Sequence, residues 1–165
     1  MTQLAHQTHW GFLAGEKKEA AEELDYLLVD LPPGTGDVHI TLAQTIKPIA
    51  GAVLVSTPQD VALLDVRRCI TMLEKMHIPM IGLIQNMSTF VCQSCSAKSD
   101  IFGSGANLEH MCQEKGLKIL AEVPIDADVA SSSDEGRPKS AKDPQSLIAQ
   151  EYLKAAKEII RFTSS

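Results

Sequence analysis

Four short apolar runs alternate with stretches of helical periodicity along the chain. Each run is nearly continuous, which is typical of a strand buried on both faces of a parallel sheet. The runs cover residues 24–31, 51–56, 80–85 and 117–123, and Pro124 closes the last one. Strands that alternate with helices predict an α/β fold, a parallel sheet with flanking helices. Ligands bind such sheets at the carboxyl ends of the strands, so functional residues are expected in the loops that follow them.

Two helices are predicted to begin at aspartates. Asp37 and Asp60 each precede a helical pattern, and aspartate is a preferred N-cap residue. The first helix is expected to stop at Pro48. In the second, a period near 3.6 is expected to separate an apolar face that includes Val61 and Leu64 from a polar face.

Two more helices are predicted towards the end of the chain. Residues 105–115 form the first, and Gly116 is expected to end it in the left-handed conformation. Residues 146–162 form a terminal amphipathic helix. Its predicted apolar side consists of Leu147, Ile148, Tyr152, Leu153, Ala156, Ile159 and Ile160.

Composition excludes several classes of function. The 165 residues fit one domain, and 15 Lys and Arg against 21 Asp and Glu give a net charge of −6. An acidic chain lacks the basic face that nucleic-acid binding requires, so no nucleic-acid partner is expected. No apolar run approaches the roughly 18 residues of a membrane span, so no membrane insertion is expected. Residues 1–23 show neither a signal pattern nor the arginines of a mitochondrial transit peptide.

The first apolar run leads into the sequence DLPPGTGD at 30–37. A carboxylate at the end of a buried strand is costly unless it is paired or near a metal ion, and Mg²⁺ bound to a nucleotide contacts proteins through one or two carboxylates. Asp30 fits that role, and Gly34 and Gly36 would let the backbone approach a phosphate. The alternative is a strand that ends in a tight turn, with Asp37 capping the next helix.

Cys92 and Cys95 form a C-x-x-C pair after the third run. Three interpretations compete. A redox pair is expected at a helix N-terminus, and a structural zinc site needs four ligands. A [4Fe–4S] cluster also needs four thiolates, and a second copy related by a twofold axis would supply the other two. Cys69 and Cys112 lie in helical patterns and are expected to be core residues. The five histidines show no ligand spacing.

Three motifs together resemble the Mrp/NUBPL-type (ApbC-like) P-loop ATPases, a family of the deviant-Walker class that also contains MinD. They are DLPPGTGD at 30–37, STPQD at 56–60 and QNMS at 85–88. The resemblance implies a P-loop NTPase-like fold and ATP with Mg²⁺ as ligands. It implies that Asp30 is the Walker B aspartate, that Gly34 is the switch II glycine beside the γ-phosphate, that Asn86 binds adenine and that Pro124 flanks the base. No catalytic residue is assigned.

The resemblance also implies a function for the cysteine pair. Proteins of this family carry a labile [4Fe–4S] cluster between two copies on an F-x-C-x-x-C…IFG element, which Phe90, Cys92, Cys95 and residues 101–103 match. Gln93 departs from the proline that many relatives have there. An iron–sulfur cluster carrier is therefore expected, which acts as a homodimer and delivers clusters to recipient apoproteins.

The expected setting follows from the same resemblance. It implies a mitochondrial location and assembly of respiratory complex I, with the cytoplasm as the alternative. The alternative functions are a MinD-like nucleotide-dependent regulator and an inactive fragment.

A phosphate-binding loop is not recognisable in the 165 residues. No G-x-x-x-x-G-K-[ST] occurs, and GFLAGEKK at 11–18 and GRPKS at 136–140 both fall short of it. We expect a divergent segment at 1–23 and, at 24–162, the C-terminal portion of a P-loop domain without its N-terminal strand and helix. Tight ATP binding and hydrolysis are not expected from such a chain alone, and neither is high stability unless another polypeptide completes the sheet.

Overall fold

The computed structural model describes residues 24–92 and 94–164. The chain forms two compact units, Met1–Ile49 and Ala50–Ser165. The expectation of a divergent segment at 1–23 lies outside the described residues.

The described part of the first unit contains one helix, α1, Asp37–Thr45. Its N-cap is Gly36, whose carbonyl oxygen accepts the first helical N–H groups, and no side chain caps the helix. The prediction that Asp37 caps this helix is therefore wrong by one residue. Asp37 lies inside the first turn, where its charge still favours the positive end of the helix dipole. The helix ends three residues before Pro48, close to the predicted stop.

The prediction of a buried strand at 24–31 is wrong. No residue of this run is part of a strand, and its large apolar side chains from Leu24 to Val29 are exposed, Leu28 to 81%. An apolar run becomes a strand only where its backbone N–H and C=O groups pair with neighbouring strands. All ladders among the described residues join strands of the second unit. The prediction was wrong because it rested on the apolar composition of residues 24–31, which have no strand partner among the described residues.

The second unit confirms the predicted α/β architecture with a parallel sheet. Its central strand pairs in parallel with one strand on each side, and a short antiparallel strand pairs with its end. The strands are β1 (Ala52–Ser56), β2 (Met80–Val91, central), β3 (Lys98–Ser99, antiparallel) and β4 (Ile119–Ile125). The helices are α2 (Asp60–Lys75), α3 (Ala106–Lys115), α4 (Asp128–Asp134), α5 (Lys139–Lys142) and α6 (Leu147–Thr163).

Two strands run further than the sequence predicted. β2 continues six residues past Gln85, and β4 passes through Pro124 instead of ending before it. Proline cannot donate to a ladder and is tolerated inside strands mainly at irregularities. The β2–β4 register shifts between Asn86 and Phe90, opposite Pro124, and Met87 there adopts a φ of 55°. The irregularity in β2 thus accommodates the proline of β4.

Helix α2 packs a different face on the sheet than predicted. Gln59 is its N-cap, so the prediction that Asp60 caps it is also wrong by one residue. Val61 and Leu64, expected on the apolar face, are 69% and 59% exposed. The buried stripe recurs every three or four residues along a neighbouring face, and it consists of Leu63, Val66, Ile70 and Leu73.

The buried face of helix α6 is also narrower than the apolar side that the sequence predicted. The N-cap Ser146 accepts a hydrogen bond from the N–H of Ala149 at 3.3 Å. Ile148 and Ile159 face the core cluster of β4, as predicted. Buried Glu151 lies between them and accepts a hydrogen bond from the N–H of Glu122 at 3.0 Å, so its carboxylate satisfies a donor of β4. The remaining predicted apolar positions are exposed: Leu147, Tyr152, Leu153, Ala156 and Ile160.

Helices α2 and α3 end in the same left-handed turn with different residues. Gly116 ends α3 with φ 63°, as predicted, whereas His77 occupies the matching position after α2 with φ 56°. In both turns the next N–H donates to the carbonyl five residues earlier, at 3.0 Å after His77 and 2.8 Å after Gly116. The hydrogen bonding is therefore matched and only the residue type differs.

This pair gives a first testable prediction. We expect His77→Gly to raise the free energy of unfolding by about 0.5 kcal/mol and Gly116→Ala to lower it by about 1 kcal/mol. A Cβ in the left-handed region costs about 1–2 kcal/mol, and the greater freedom of unfolded glycine offsets about 0.5–1 kcal/mol of that. Urea unfolding at an unchanged m-value measures both. Shifts of the same sign would contradict the explanation.

Candidate functional site

The C-x-x-C pair lies in the hairpin loop that joins β2 to β3. Cys92 directly follows β2, and its N–H donates to the carbonyl oxygen of Ala97 at 2.9 Å. Inside this closure, the N–H of Ser96 donates to the carbonyl oxygen of Cys92 at 2.8 Å. Cys95 therefore sits within one hydrogen-bonded turn that begins at Cys92. Gln93, the departure from the family pattern, lies outside the described residues.

The loop stabilises a thiolate at Cys92. Hydrogen bonds from the backbone N–H groups of Cys95 and Ser94 lower the pKa of the Cys92 thiol, and the Cys95 thiol adds to the effect. The thiolate is the form of cysteine that binds soft metals. Cys92 is partly buried and Cys95 is exposed, so the pair can be reached from solvent.

The other two cysteines belong to the core, as the sequence predicted. Cys112 is 2% exposed within a buried cluster, and Cys69 packs against that cluster. Burial raises the pKa of both thiols, and the charge of Glu109 raises that of Cys112 further. Both environments oppose thiolate formation and metal binding.

Cys92 and Cys95 place two free thiols on one hairpin. Within residues 24–92 and 94–164, no group of three or more His, Cys, Asp or Glu side chains is arranged to hold a metal ion. A centre with four ligands on this hairpin would therefore need ligands from beyond the described residues of one chain.

Asn86 and Pro124 lie close together on the neighbouring strands β2 and β4, where the register between them shifts. Asn86 of β2 is paired with Val123 of β4, the residue before Pro124. The Oδ1 of Asn86 accepts a hydrogen bond from the N–H of Met87 at 3.0 Å, which orients the amide. Its amide nitrogen donates to no other described residue. The structure thus presents an oriented donor beside a buried proline.

Asp30 and Gly34 belong to the first unit. Asp30 is exposed, so the expectation of a carboxylate at the end of a buried strand is wrong. Gly34 has a φ of 104°, and a Cβ placed there would meet no atom within 4 Å, so backbone conformation alone favours glycine at this position. Neither unit by itself contains all four of the residues predicted to contact a nucleotide.

Lys139, the lysine of GRPKS, has carboxylate partners that the sequence did not reveal. Its Nζ lies 2.8 Å from Oδ2 of Asp128 and 3.8 Å from Oδ2 of Asp126, in the segment after β4. The hydrogen bond raises the pKa of Lys139 and lowers that of Asp128. Because two carboxylates already match its charge, Lys139 is poorly suited to bind a phosphate.

Gln85 and Gly105 fix the loop that follows the hairpin. Gln85, at 4% exposure, lies near the end of the β1–β2 ladder, and Gly105 precedes α3 with φ 76°. A Cβ at Gly105 would lie 2.7 Å from Nε2 of Gln85, so the close packing requires glycine. No local sequence pattern reveals this contact, because 20 residues separate the two positions. The contact holds Gly105, at the start of α3, against β2, the strand that leads into the cysteine hairpin.

Two of the motifs of the resemblance, STPQD and IFG, meet in the second unit. The loop after β1 and the loop before α3 line a cavity of about 210 Å³, formed by Pro58, Asp60 and residues 102–107. Across it, the Nδ2 of Asn107 donates to Oδ1 of Asp60 at 2.7 Å. STPQD, through Pro58 and Asp60, and IFG, through Phe102 and Gly103, therefore meet at this cavity, beyond the carboxyl end of β1.

Comparisons with known proteins found a matching family model and similar proteins. A family model described as ParA, NUBPL iron-transfer P-loop NTPase, matches residues 1–160. An iron–sulfur cluster carrier protein of Aquifex aeolicus is 43% identical over 100% of this chain and 42% of its own length. An Arabidopsis thaliana protein, named as an iron–sulfur protein required for NADH dehydrogenase, mitochondrial, is 43% identical over 84% of this chain and 44% of its own length.

A solved structure is similar as well. It is a nucleotide-binding protein of Archaeoglobus fulgidus in complex with ADP, with TM-score 0.63 and 39% identity over 75% of this chain and 49% of that one. The chain thus spans less than half the length of these three proteins. Among the residues that the structure describes, no helix has the length and apolar character needed to cross a bilayer.

Proposed function

The chain belongs to the family of NUBPL iron-transfer P-loop NTPases, and from this premise we propose that it carries a labile [4Fe–4S] cluster on Cys92 and Cys95. The observation that carries the proposal is the hairpin loop, in which two thiols share one turn and backbone N–H groups favour the thiolate of Cys92. The cluster is the cargo of the protein.

The number of ligands argues for a homodimer. A [4Fe–4S] cluster needs about four cysteine thiolates, and the hairpin supplies two. A twofold axis through the cluster brings the same two residues of a second copy to the other side, without any new kind of surface. Ligands shared between chains and exposed at Cys95 suit a cluster that has to be released.

The recipients are proposed to be apoproteins that need iron–sulfur clusters. The name of the Arabidopsis thaliana relative supports the NADH dehydrogenase of respiratory complex I as a recipient, and a mitochondrial location with it. The Aquifex aeolicus relative is bacterial, which supports the cytoplasm as the alternative location.

A nucleotide site is proposed for the whole protein, of which residues 24–162 would form the C-terminal portion of the NTPase domain. The ADP complex of the Archaeoglobus fulgidus protein supports it. Here Asn86 would donate its amide N–H to the adenine, Pro124 would flank the base, and Asp30 and Gly34 would serve Mg²⁺ and the γ-phosphate.

Anaerobic reconstitution with iron and sulfide tests the proposal. We expect a brown protein with about two irons per chain, or four per dimer. When the loaded protein is mixed with an apoprotein that needs a [4Fe–4S] cluster, the apoprotein should gain activity even with an iron chelator present, because transfer is direct. A colourless protein without iron, or activation abolished by the chelator, would contradict the proposal.

A further inference from the structure

The two thiols of the hairpin are placed to react with each other. A chain reversal brings Cα atoms three residues apart to within about 7 Å, and a disulfide requires roughly 4.4–6.8 Å. The Ser96 N–H to Cys92 carbonyl bond of 2.8 Å closes such a reversal around Cys95.

Exposure confines this reactivity to the hairpin. Cys95 is exposed and Cys92 partly so, whereas Cys112 is 2% exposed and Cys69 packs against the same core. A small oxidant in solution therefore reacts first with the more exposed thiol, that of Cys95, and Cys92 lies in the same turn. The two core cysteines, Cys69 and Cys112, are therefore expected to keep their thiols when the hairpin is oxidised.

We propose that the cluster-free hairpin is a redox switch, in which a low-molecular-weight disulfide converts Cys92 and Cys95 into an intramolecular disulfide that blocks cluster loading. The proposal rests on the proposed function, because it regulates the same two ligands. A dithiol reductant reverses it.

The reaction proceeds through two thiol–disulfide exchanges. Cys95 loses its proton to solvent, and its sulfur attacks one sulfur of the small disulfide RSSR, whose S–S bond breaks and releases RS⁻. The Cys92 sulfur then attacks the Cys95 sulfur of the mixed disulfide, and the second RS⁻ leaves. The two thiolates released take up the two protons that the cysteines lost. The protein thiols are thus oxidised by two electrons, and RSSR is reduced to two RSH.

The disulfide removes both ligands at once. A disulfide sulfur carries no thiolate charge, and the thiolate is the form that binds metal. In the proposed dimer, oxidation of one chain halves the ligand set and oxidation of both abolishes it. The switch therefore stops a cluster-free carrier from loading under oxidising conditions without consuming its cysteines irreversibly.

Mass spectrometry and thiol counting on the full chain test the disulfide. The reduced, cluster-free protein is incubated with glutathione disulfide without oxygen. We expect two of its four thiols to disappear, with a mass loss of about 2 Da and no retained glutathione. Peptide mapping should place the bond between Cys92 and Cys95. Four remaining thiols, a retained glutathione on the wild-type chain or a bond between two chains would overturn the proposal.

Two variants sharpen the result. Cys92→Ser leaves Cys95 without its neighbour, so we expect a stable glutathione adduct on Cys95. Cys69→Ser should still lose two thiols, because Cys69 takes no part. Identical products from wild type and Cys92→Ser would overturn the proposed exchange.

Cluster loading then separates the switch from the proposed function. Reduced, oxidised and re-reduced samples are reconstituted in parallel. We expect the oxidised sample to bind less than about a tenth of the iron of the other two. Equal iron in all three would overturn the switch and leave the carrier function standing. No iron in the reduced sample would overturn the carrier function, and with it the proposed block of cluster loading. The formation of the disulfide is tested separately, by mass spectrometry.

Discussion

Cys92→Ser is expected to lower the iron content of reconstituted protein by about a hundredfold or more. Loss of groups that only support a metal ligand costs about 10–100-fold in affinity, and here a ligand itself is lost. A twofold arrangement doubles the effect, because one substitution removes two of the four thiolates. Iron and sulfide analysis after anaerobic reconstitution and desalting measures it.

Cys69→Ser is the matched control for this experiment. It removes a thiol of the same chain, but one that packs against the core away from the hairpin. We expect it to retain the iron content of the wild type at equal folded fraction, which circular dichroism checks. Iron loss that is equal in both variants, or absent in Cys92→Ser, would contradict the assignment of the ligands.

Gly82→Ala is expected to destabilise the fold by about 3 kcal/mol. A Cβ at Gly82 would lie 2.5 Å from the carbonyl oxygen of Lys118 and 2.7 Å from the side chain of Leu120. That carbonyl accepts a hydrogen bond of 2.9 Å from the N–H of Leu83, so the strands cannot separate without weakening it. Overpacking costs about 1–3 kcal/mol and a lost hydrogen bond about 0.5–1.5 kcal/mol.

Thermal unfolding measures the effect of Gly82→Ala. For a chain of this size, 3 kcal/mol corresponds to roughly 6–12 °C in Tm. Gly36→Ala is the control, because its φ is −80° and an added Cβ meets no atom within 4 Å. We expect it to change Tm by no more than about 2 °C. A wild-type Tm for Gly82→Ala would contradict the described packing of β2 against β4.

The alternation of apolar runs and helical patterns predicted the α/β class and three of the strands. Local signals were sufficient where the determinant was local, as at Gly116, whose left-handed conformation ends α3. Local signals failed where the structure of a segment depends on contacts with another segment. The run at 24–31 had the composition of a buried strand, but composition does not provide the hydrogen-bonding partner that a strand requires.

Helix faces show the same limit. Val61 and Leu64 are apolar and correctly spaced for a helix, but the sheet covers the neighbouring stripe that contains Leu63 and Ile70. Several stripes of an apolar helix can satisfy the period, and only the position of the sheet selects one. Pro124 was likewise predicted to end β4. The strand continues through it because of an irregularity in β2, which the sequence around Pro124 does not show.

The candidate site was predictable at the level of residue types. The spacing of Cys92 and Cys95 and the surrounding motifs make the pair the candidate ligands without a structure. The backbone N–H groups that favour the Cys92 thiolate depend on how the loop folds. The contact of Gly105 with Gln85 depends on packing between distant segments. No sequence pattern encodes either of them directly.

Iron content and molar mass, measured on one reconstituted sample, test the central claim most directly. Size-exclusion chromatography with light scattering gives the mass, and elemental analysis of the same peak gives the iron. The bridging cluster predicts a brown species at twice the 17.9 kDa mass of the chain, with about two irons per chain, that returns to the mass of one chain when a chelator removes the iron. Iron bound at the mass of a single chain, or a dimer that takes up no iron, would contradict it.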